Sequence, residues 1–445
     1  MSDAAVNEYT TLHGGTGLQL AGQGVDWVSH LRNQALEHFR TIGFPTAREE
    51  TWKYTNVRPI LKHSFAPTKL NGNEAVARTF MDSAIPRHQG PRLVFVNGHF
   101  SMQLSRVGTP VAGARLTNIA SMLETDPVAA EPYLAHQTPD VVHGFTALNT
   151  AFIGDGAFVE LAAGVELTQP IELLFVVTSS DRSVLAQPRN LVIAGPGSRV
   201  QIVERYAGAD TSRYFTNAVT EIVAQNHAVV DHYKIQQEGT NAFHIGGLFV
   251  KQKKGSRLVA HSTSLGGAIV RNDVHVVLSE SDSECTLNGL YLAVDRQHVD
   301  NQTHIDHRSP HTTSRESYKG ILDGRARAVF QGRVVIHPDA QHSDAQQSNK
   351  NLLLSRNAEV DTKPQLEIYA DDIKCAHGAT VGQLDTDALF YMRSRGIAEE
   401  AARRLLIYAF AKDMIENMQL DSIRHELEEA IAVKLLHRKS LEELL

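Results

Sequence analysis

Cysteine is scarce: Cys285 and Cys375 are the only two in 445 residues. Two distant thiols cannot build a disulfide framework, a four-cysteine zinc site or a self-sufficient iron-sulfur cluster, and they fit a reducing compartment. Excess positive charge is missing too, since 43 Lys and Arg against 50 Asp and Glu leave a formal net charge of -7. That balance argues against an extended phosphate-binding face, so no nucleic-acid partner is expected. The short basic run Lys251–Lys254 reads as a solvated turn. No apolar run approaches the roughly 20 residues a membrane-spanning helix needs. The best, Ile171–Val177, is interrupted by Glu172. Met1–Gly24 has neither the basic start nor the apolar centre of a signal peptide, so a cytoplasmic protein without membrane contact is expected.

Catalytic signatures are absent as well. There is no glycine-rich loop ending in Gly-Lys-Ser or Gly-Lys-Thr, so the chain is not expected to hydrolyse ATP. Neither Gly-x-Gly-x-x-Gly nor Gly-x-Ser-x-Gly occurs, which removes the commonest dinucleotide and hydrolase readings. The acidic residues show no clustering that would mark a carbohydrate-cleaving pair.

What is present is a chain with 42% hydrophobic and 21% charged residues, ordinary for a globular protein. Its length calls for two or three domains, or one elongated repeat. Trp27, Val28, Leu31, Ala35, Leu36, Phe39 and Ile42 make a helical stripe that Gly43 and Pro45 end. Asn97-Gly98 predicts a hairpin turn within Arg92–Leu104, and a helical stretch follows near Leu116–His136. Residues 1–140 thus read as a mainly helical domain. From Phe145 onward the pattern is β: short apolar runs separated by Gly, Pro, Asn, Asp and Ser. Ser198, His227, Ser256 and Ser283 recur at steps of about 29 residues in similar contexts. Such a period predicts stacked coils, a β-solenoid over residues 141–383, with a β-sandwich as the weaker alternative. Residues 384–445 read as three helices, the first capped by Asp385 or Thr386 and closed by Gly396. The second, from Glu399 to Met418, is apolar around more of its circumference than one buried stripe requires. It is either sandwiched between neighbours of its own domain or offers a face to a partner.

Two constellations bear on metal chemistry. His298, His304, His307, His311, His337 and His342 crowd one region, but His304 and His307 stand three apart, where strand side chains point opposite ways. Structural histidines on solenoid turns are the expectation there. Cys375 and His377 stand two apart and share a strand face. They would supply one soft and one borderline ligand to iron or zinc, and a partner chain would have to complete the site. A buried Cys beside a satisfied His is the competing reading.

The run from Ala370 through Lys374-Cys375-Ala376-His377-Gly378-Ala379-Thr380 to Gly382, followed by Leu389–Ile397, resembles the signature of the SufD family. Gln347–Ser355, Pro364–Ile368, Tyr318–Ile321 and the N-terminal Glu49–Thr55 are similar to further parts of its pattern. The resemblance implies a right-handed parallel β-helix between helical N- and C-terminal domains. It implies a non-catalytic scaffold for iron-sulfur cluster assembly, which pairs with a SufB-type scaffold through the β-helix end and binds a SufC-type ABC ATPase. The C-terminal helix bearing Arg403, Leu406, Ile407, Phe410 and Met414 would meet the ATPase. His377, with Cys375 beside it, would face the SufB partner at a shared nascent-cluster site. The isolated chain would hold no cofactor tightly, and a homodimer is one form open to it. A stand-alone metal-binding or iron-delivery β-helix protein is the alternative.

Overall fold

The computed structural model describes residues 2–15, 20–68, 73–138, 143–178, 183–209 and 212–436. The β-rich region winds into a solenoid of two long parallel sheets. In one sheet Arg199, Val229, Arg257, Glu284, Thr313, Asp344 and Lys374 stand in register, each the first residue of a strand. The second sheet stacks Tyr214–Ala224, Phe243–Gln252, Ile269–Leu278, His298–His307, Arg327–Ile336 and Glu359–Ile368 in the same way.

One turn position recurs in six successive coils. Gly197, His227, Gly255, Asp282, His311 and His342 each stand two residues before a strand of the first sheet, and all have φ between 58° and 66°. This left-handed backbone favours glycine, yet the solenoid repeats it with other residues too. His311 and His342 therefore are turn residues, with their rings stacked 4.9 Å apart.

Most strands are buried on both faces, as parallel sheets with covered faces are. Val200, Ile202, Val230, Leu258, Cys285 and Leu287 fill the solenoid interior. Val203, Tyr233, Leu290, Leu292 and Ile321 face outward and are covered by helices Glu399–Ile415 and Asp421–Leu436. Arg205 ties that layer down, donating from Nη2 to Glu426 Oε2 at 2.7 Å and from Nε to Glu172 Oε1 at 3.0 Å.

The other sheet is covered by N-terminal elements. Helix Asp26–Ile42 forms as its apolar stripe predicts, and Gly43 closes it at φ 65°. Trp52 is buried against His143 and Phe145, with the Arg271 guanidinium 3.6 Å above its ring. The N-terminal motif is thereby a clamp on the sheet, reinforced by Arg271 donating to the Thr51 carbonyl at 2.7 Å. The hairpin forms at Asn97-Gly98, and its first strand, Arg92–Val96, pairs in parallel with Ile171–Val177. N-terminal residues thus extend both sheets, since Ala114–Asn118 also pairs, antiparallel, with Ala157–Leu161. The stretch expected to be helical near Leu116–His136 therefore begins as a strand, followed by short helices Ile119–Thr125 and Pro127–Ala130. The boundary expected between residues 140 and 141 falls in 139–142, and residues 437–445 of the C-terminal segment likewise lie outside the described residues.

Candidate functional site

The solenoid ends on strand Lys374–Gly382, which pairs on one side with Asp344–Leu353. Cys375 stands above Ala345 and His377 above Gln347, both of which point into the solenoid. Cys375 and His377 therefore continue the inward-facing row, but no further coil covers them. Cys375 is half-buried and packs against the core, whereas His377 is exposed. Burial raises the Cys375 thiol above its ordinary range, opposed by a backbone hydrogen bond at Ala345. The shared face inferred from their spacing is thus realised. Among the described residues no third His, Cys, Asp or Glu joins them to form a metal-holding group.

Beneath this row the interior is polar. Gln347 Nε2 donates to Glu316 Oε2 at 2.6 Å, Tyr291 donates to Asn351 Oδ1 at 2.5 Å, and Asn349 donates to Tyr291 at 3.2 Å. Cys285 lies on the same inward row as Cys375, three rungs deeper, where burial pushes its thiol far above the ordinary range. Strands Glu359–Ile368 and Lys374–Gly382 each have one unpaired edge, and their residues are far more exposed than those of inner coils. Ile368, Tyr369 and Val381 stand exposed on this last coil, and Phe390 and Tyr391 on the following helix, Thr386–Ser394. Asp385 caps that helix, accepting from the Asp387 and Ala388 amides. The Phe390-Tyr391 pair lies within the signature run Leu389–Ile397, but its exposure follows from helix packing that the local pattern does not encode.

The long C-terminal helix divides its apolar circumference. Ile407 and Met414 are buried in the layer beneath it, facing the solenoid and helix Asp421–Leu436, so a seated helix cannot offer them to a partner. Arg403, Leu406 and Phe410 keep partial exposure. Lys319 donates to the Phe410 carbonyl at 3.0 Å and pairs with Asp413, fixing the helix on the sheet.

The histidine-rich region resolves into separate roles. His307 is buried and bonded to Thr312 and Ser314, and His298 to Thr55. His304 is not paired with His307, in keeping with strand alternation. Its neighbour is His275, one coil back and in register. This pairing is not read from the sequence, although the two are separated by the repeat length itself.

The SUF system FeS cluster assembly, SufBD core domain model matches residues 175–410, and the SufBD protein N-terminal region model matches residues 4–173. An iron-sulfur cluster assembly SufBD family protein of Synechocystis is 32% identical over 414 residues, covering 91% of this chain and 90% of its own length. The iron-sulfur cluster assembly protein SufD of Escherichia coli is 30% identical over 412 residues, 90% of this chain and 92% of that protein. A SufBD family protein of Mycobacterium leprae is 28% identical over 399 residues, 88% and 90% respectively.

Proposed function

Because the chain belongs to the SufBD family of the SUF iron-sulfur cluster assembly system, and is SufD-like, we propose that it is a non-catalytic cytoplasmic scaffold subunit that pairs with a SufB-type scaffold through its last coil. The uncovered inward row at Cys375 and His377 carries this reading. A solenoid interior left open, with unpaired strand edges around it, is stabilised by an incoming chain that continues the stack. Cys375 and His377 supply two ligands and the partner supplies the others, so the nascent cluster is a product built at the junction. A SufC-type ABC ATPase is assigned to the partly exposed side of the C-terminal helix at Arg403, Leu406 and Phe410. No helix of the described residues is long and apolar enough to cross a membrane.

Co-purification of the tagged chain from its native cell tests the partners, which mass spectrometry identifies. In the reconstituted complex, His377→Ala should leave assembly by size-exclusion chromatography nearly unchanged while cluster yield, read from absorbance and iron content, falls. Cys375→Ser should be milder if the half-buried thiol mainly packs. Wild-type cluster yield from the His377 variant removes that residue from the reading.

A further inference from the structure

In the groove between the N-terminal clamp and the second sheet, a volume of about 680 Å³ lined in part by Glu49, Trp52, His143 and Arg333, three side chains converge. His275 and His304 are register partners on adjacent strands, and their rings lie 4.6 Å apart. Asp306 follows His304 by two positions, which returns it to the same face. His275 Nε2 is 3.3 Å from Asp306 Oδ2, and His304 Nε2 is 3.1 Å from Oδ1. Among the described residues this is the one group of three or more His, Cys, Asp or Glu side chains whose ligand atoms all meet within 4.8 Å.

We propose that His275, His304 and Asp306 form a binding site for a divalent first-row transition-metal ion, of the Zn(II) or Fe(II) kind. Two borderline imidazoles and one carboxylate are a ligand set such ions accept, whereas Mg(II) and Ca(II) prefer oxygen. The distances suit the ion: ligands about 2.0–2.2 Å from a tetrahedral centre lie roughly 3.3–3.6 Å from one another, and the two nitrogen-oxygen separations, 3.3 and 3.1 Å to different oxygens of the carboxylate, are close to that. Neither histidine needs to leave its rung. The carboxylate is largely buried and the imidazoles open toward the groove, so the ion has a route in. His337 Nε2 lies 3.5 Å from Asp306 Oδ1 on a side chain 40% exposed, but it falls outside the group whose ligand atoms all meet within 4.8 Å and is not counted among the ligands. Arg308 also donates to Asp306 Oδ2, at 3.1 Å. Its side chain is half exposed and can swing into solvent when the cation arrives.

The site stands apart from Cys375 and His377, on the other sheet, and does not depend on pairing with a SufB-type partner. The test uses the isolated full chain, stripped with chelator. Zn(II), Co(II), anaerobic Fe(II) and Mg(II) are titrated separately by calorimetry, and bound metal is counted after dialysis. One equivalent of Zn(II) and of Co(II) should bind, the latter with the intense visible bands of four- or five-coordinate cobalt, while Mg(II) should not. His304→Ala and Asp306→Asn should each weaken binding by more than about tenfold. His38→Ala, at an exposed histidine of helix Asp26–Ile42, should leave it unchanged. Should either site variant fold poorly, crystals of the unaltered chain soaked in Zn(II) decide the matter through an anomalous peak between the two Nε2 atoms and the carboxylate. Undiminished binding by well-folded site variants, loss in the His38 control, or a soaked crystal without that peak overturns the proposal. Failure of the scaffold reading would show instead as absent partners in the co-purification.

Discussion

Glu316 sits on the inward row beneath Gln347, which itself lies beneath His377. Burial, opposed by the hydrogen bond from Gln347, raises its carboxyl from 4.5 to about 7. An acid whose folded pKa exceeds its unfolded value holds its proton more tightly when folded. Its stabilising contribution is therefore complete below about 4.5 and is lost as pH rises through about 7. Glu316→Gln keeps the neutral shape of the protonated acid. It should leave stability almost unchanged near pH 4.5 and raise it by about 3 kcal/mol near pH 8, since a tenfold change in proton affinity on folding is worth about 1.4 kcal/mol. Urea unfolding at the two pH values checks this, and an equal gain at both would show that the buried carboxyl does not ionise across that range. None of this was legible from sequence, because nothing local to Ser314–Tyr318 says which face of the strand turns inward. Cys375 and His377 were legible, since two-residue alternation is local. His275 and His304 required the coil repeat of about 29 residues to be applied to side chains rather than to turns alone.

At the scale of elements, the clamp around Trp52 explains why Glu49–Thr55 forms a recognisable block. The indole closes a cluster with His143 and Phe145 and supports Arg271, which also donates to Asp300 at 2.6 Å. Trp52→Ala should cost about 3–5 kcal/mol locally. A solenoid's stability is spread along neighbouring coils, so the loss should appear first as protease sensitivity of the N-terminal elements while the inner strands stay protected. Hydrogen exchange resolved along the chain measures this, and a uniform loss of protection everywhere would mean that the clamp belongs to the same cooperative unit as the coils. The sequence carried this element's helix and hairpin through apolar stripe and turn chemistry. It did not carry the strands Arg92–Val96 and Ala114–Asn118 joining the sheets, since strand partners that far along the chain leave no local mark. The long C-terminal helix shows the same limit. Its surplus apolar surface is visible in the sequence as either a face between neighbours of its own domain or a face for a partner, and packing buries Ile407 and Met414 against the solenoid's outer face as well as the neighbouring helix. Deleting residues 386–445 would expose that face and strand Arg205 without Glu426, so surface changes at Arg403 and Leu406 are the cleaner probe of ATPase binding.

For the whole molecule the telling contrast is between glycines of inner and last coils. A Cβ at Gly320 would come within 2.2 Å of the Tyr291 ring, and one at Gly332 within 2.1 Å of Gln347 Nε2. Those glycines serve the chain's own packing. A Cβ at Gly378 or Gly382 would meet nothing within 4 Å, and neither residue has the left-handed backbone that excludes other side chains. Smallness at these two positions has no use inside the isolated fold, whereas it leaves room for a chain stacked on the open coil. Gly378→Glu should therefore leave the chain folded, with a melting temperature close to the original, yet weaken pairing with the SufB-type scaffold by placing a charge and bulk on the outward face of the unpaired edge strand, next in sequence to His377. The same open end, with Ile368, Tyr369 and Val381 exposed, is where a second copy would meet the isolated chain, so the variant should also lower any concentration-dependent self-association. Sedimentation of the isolated chain and size-exclusion chromatography of the mixed scaffolds read the two effects separately. Unchanged pairing by a normally folded Gly378→Glu chain would move the partner interface away from the last coil.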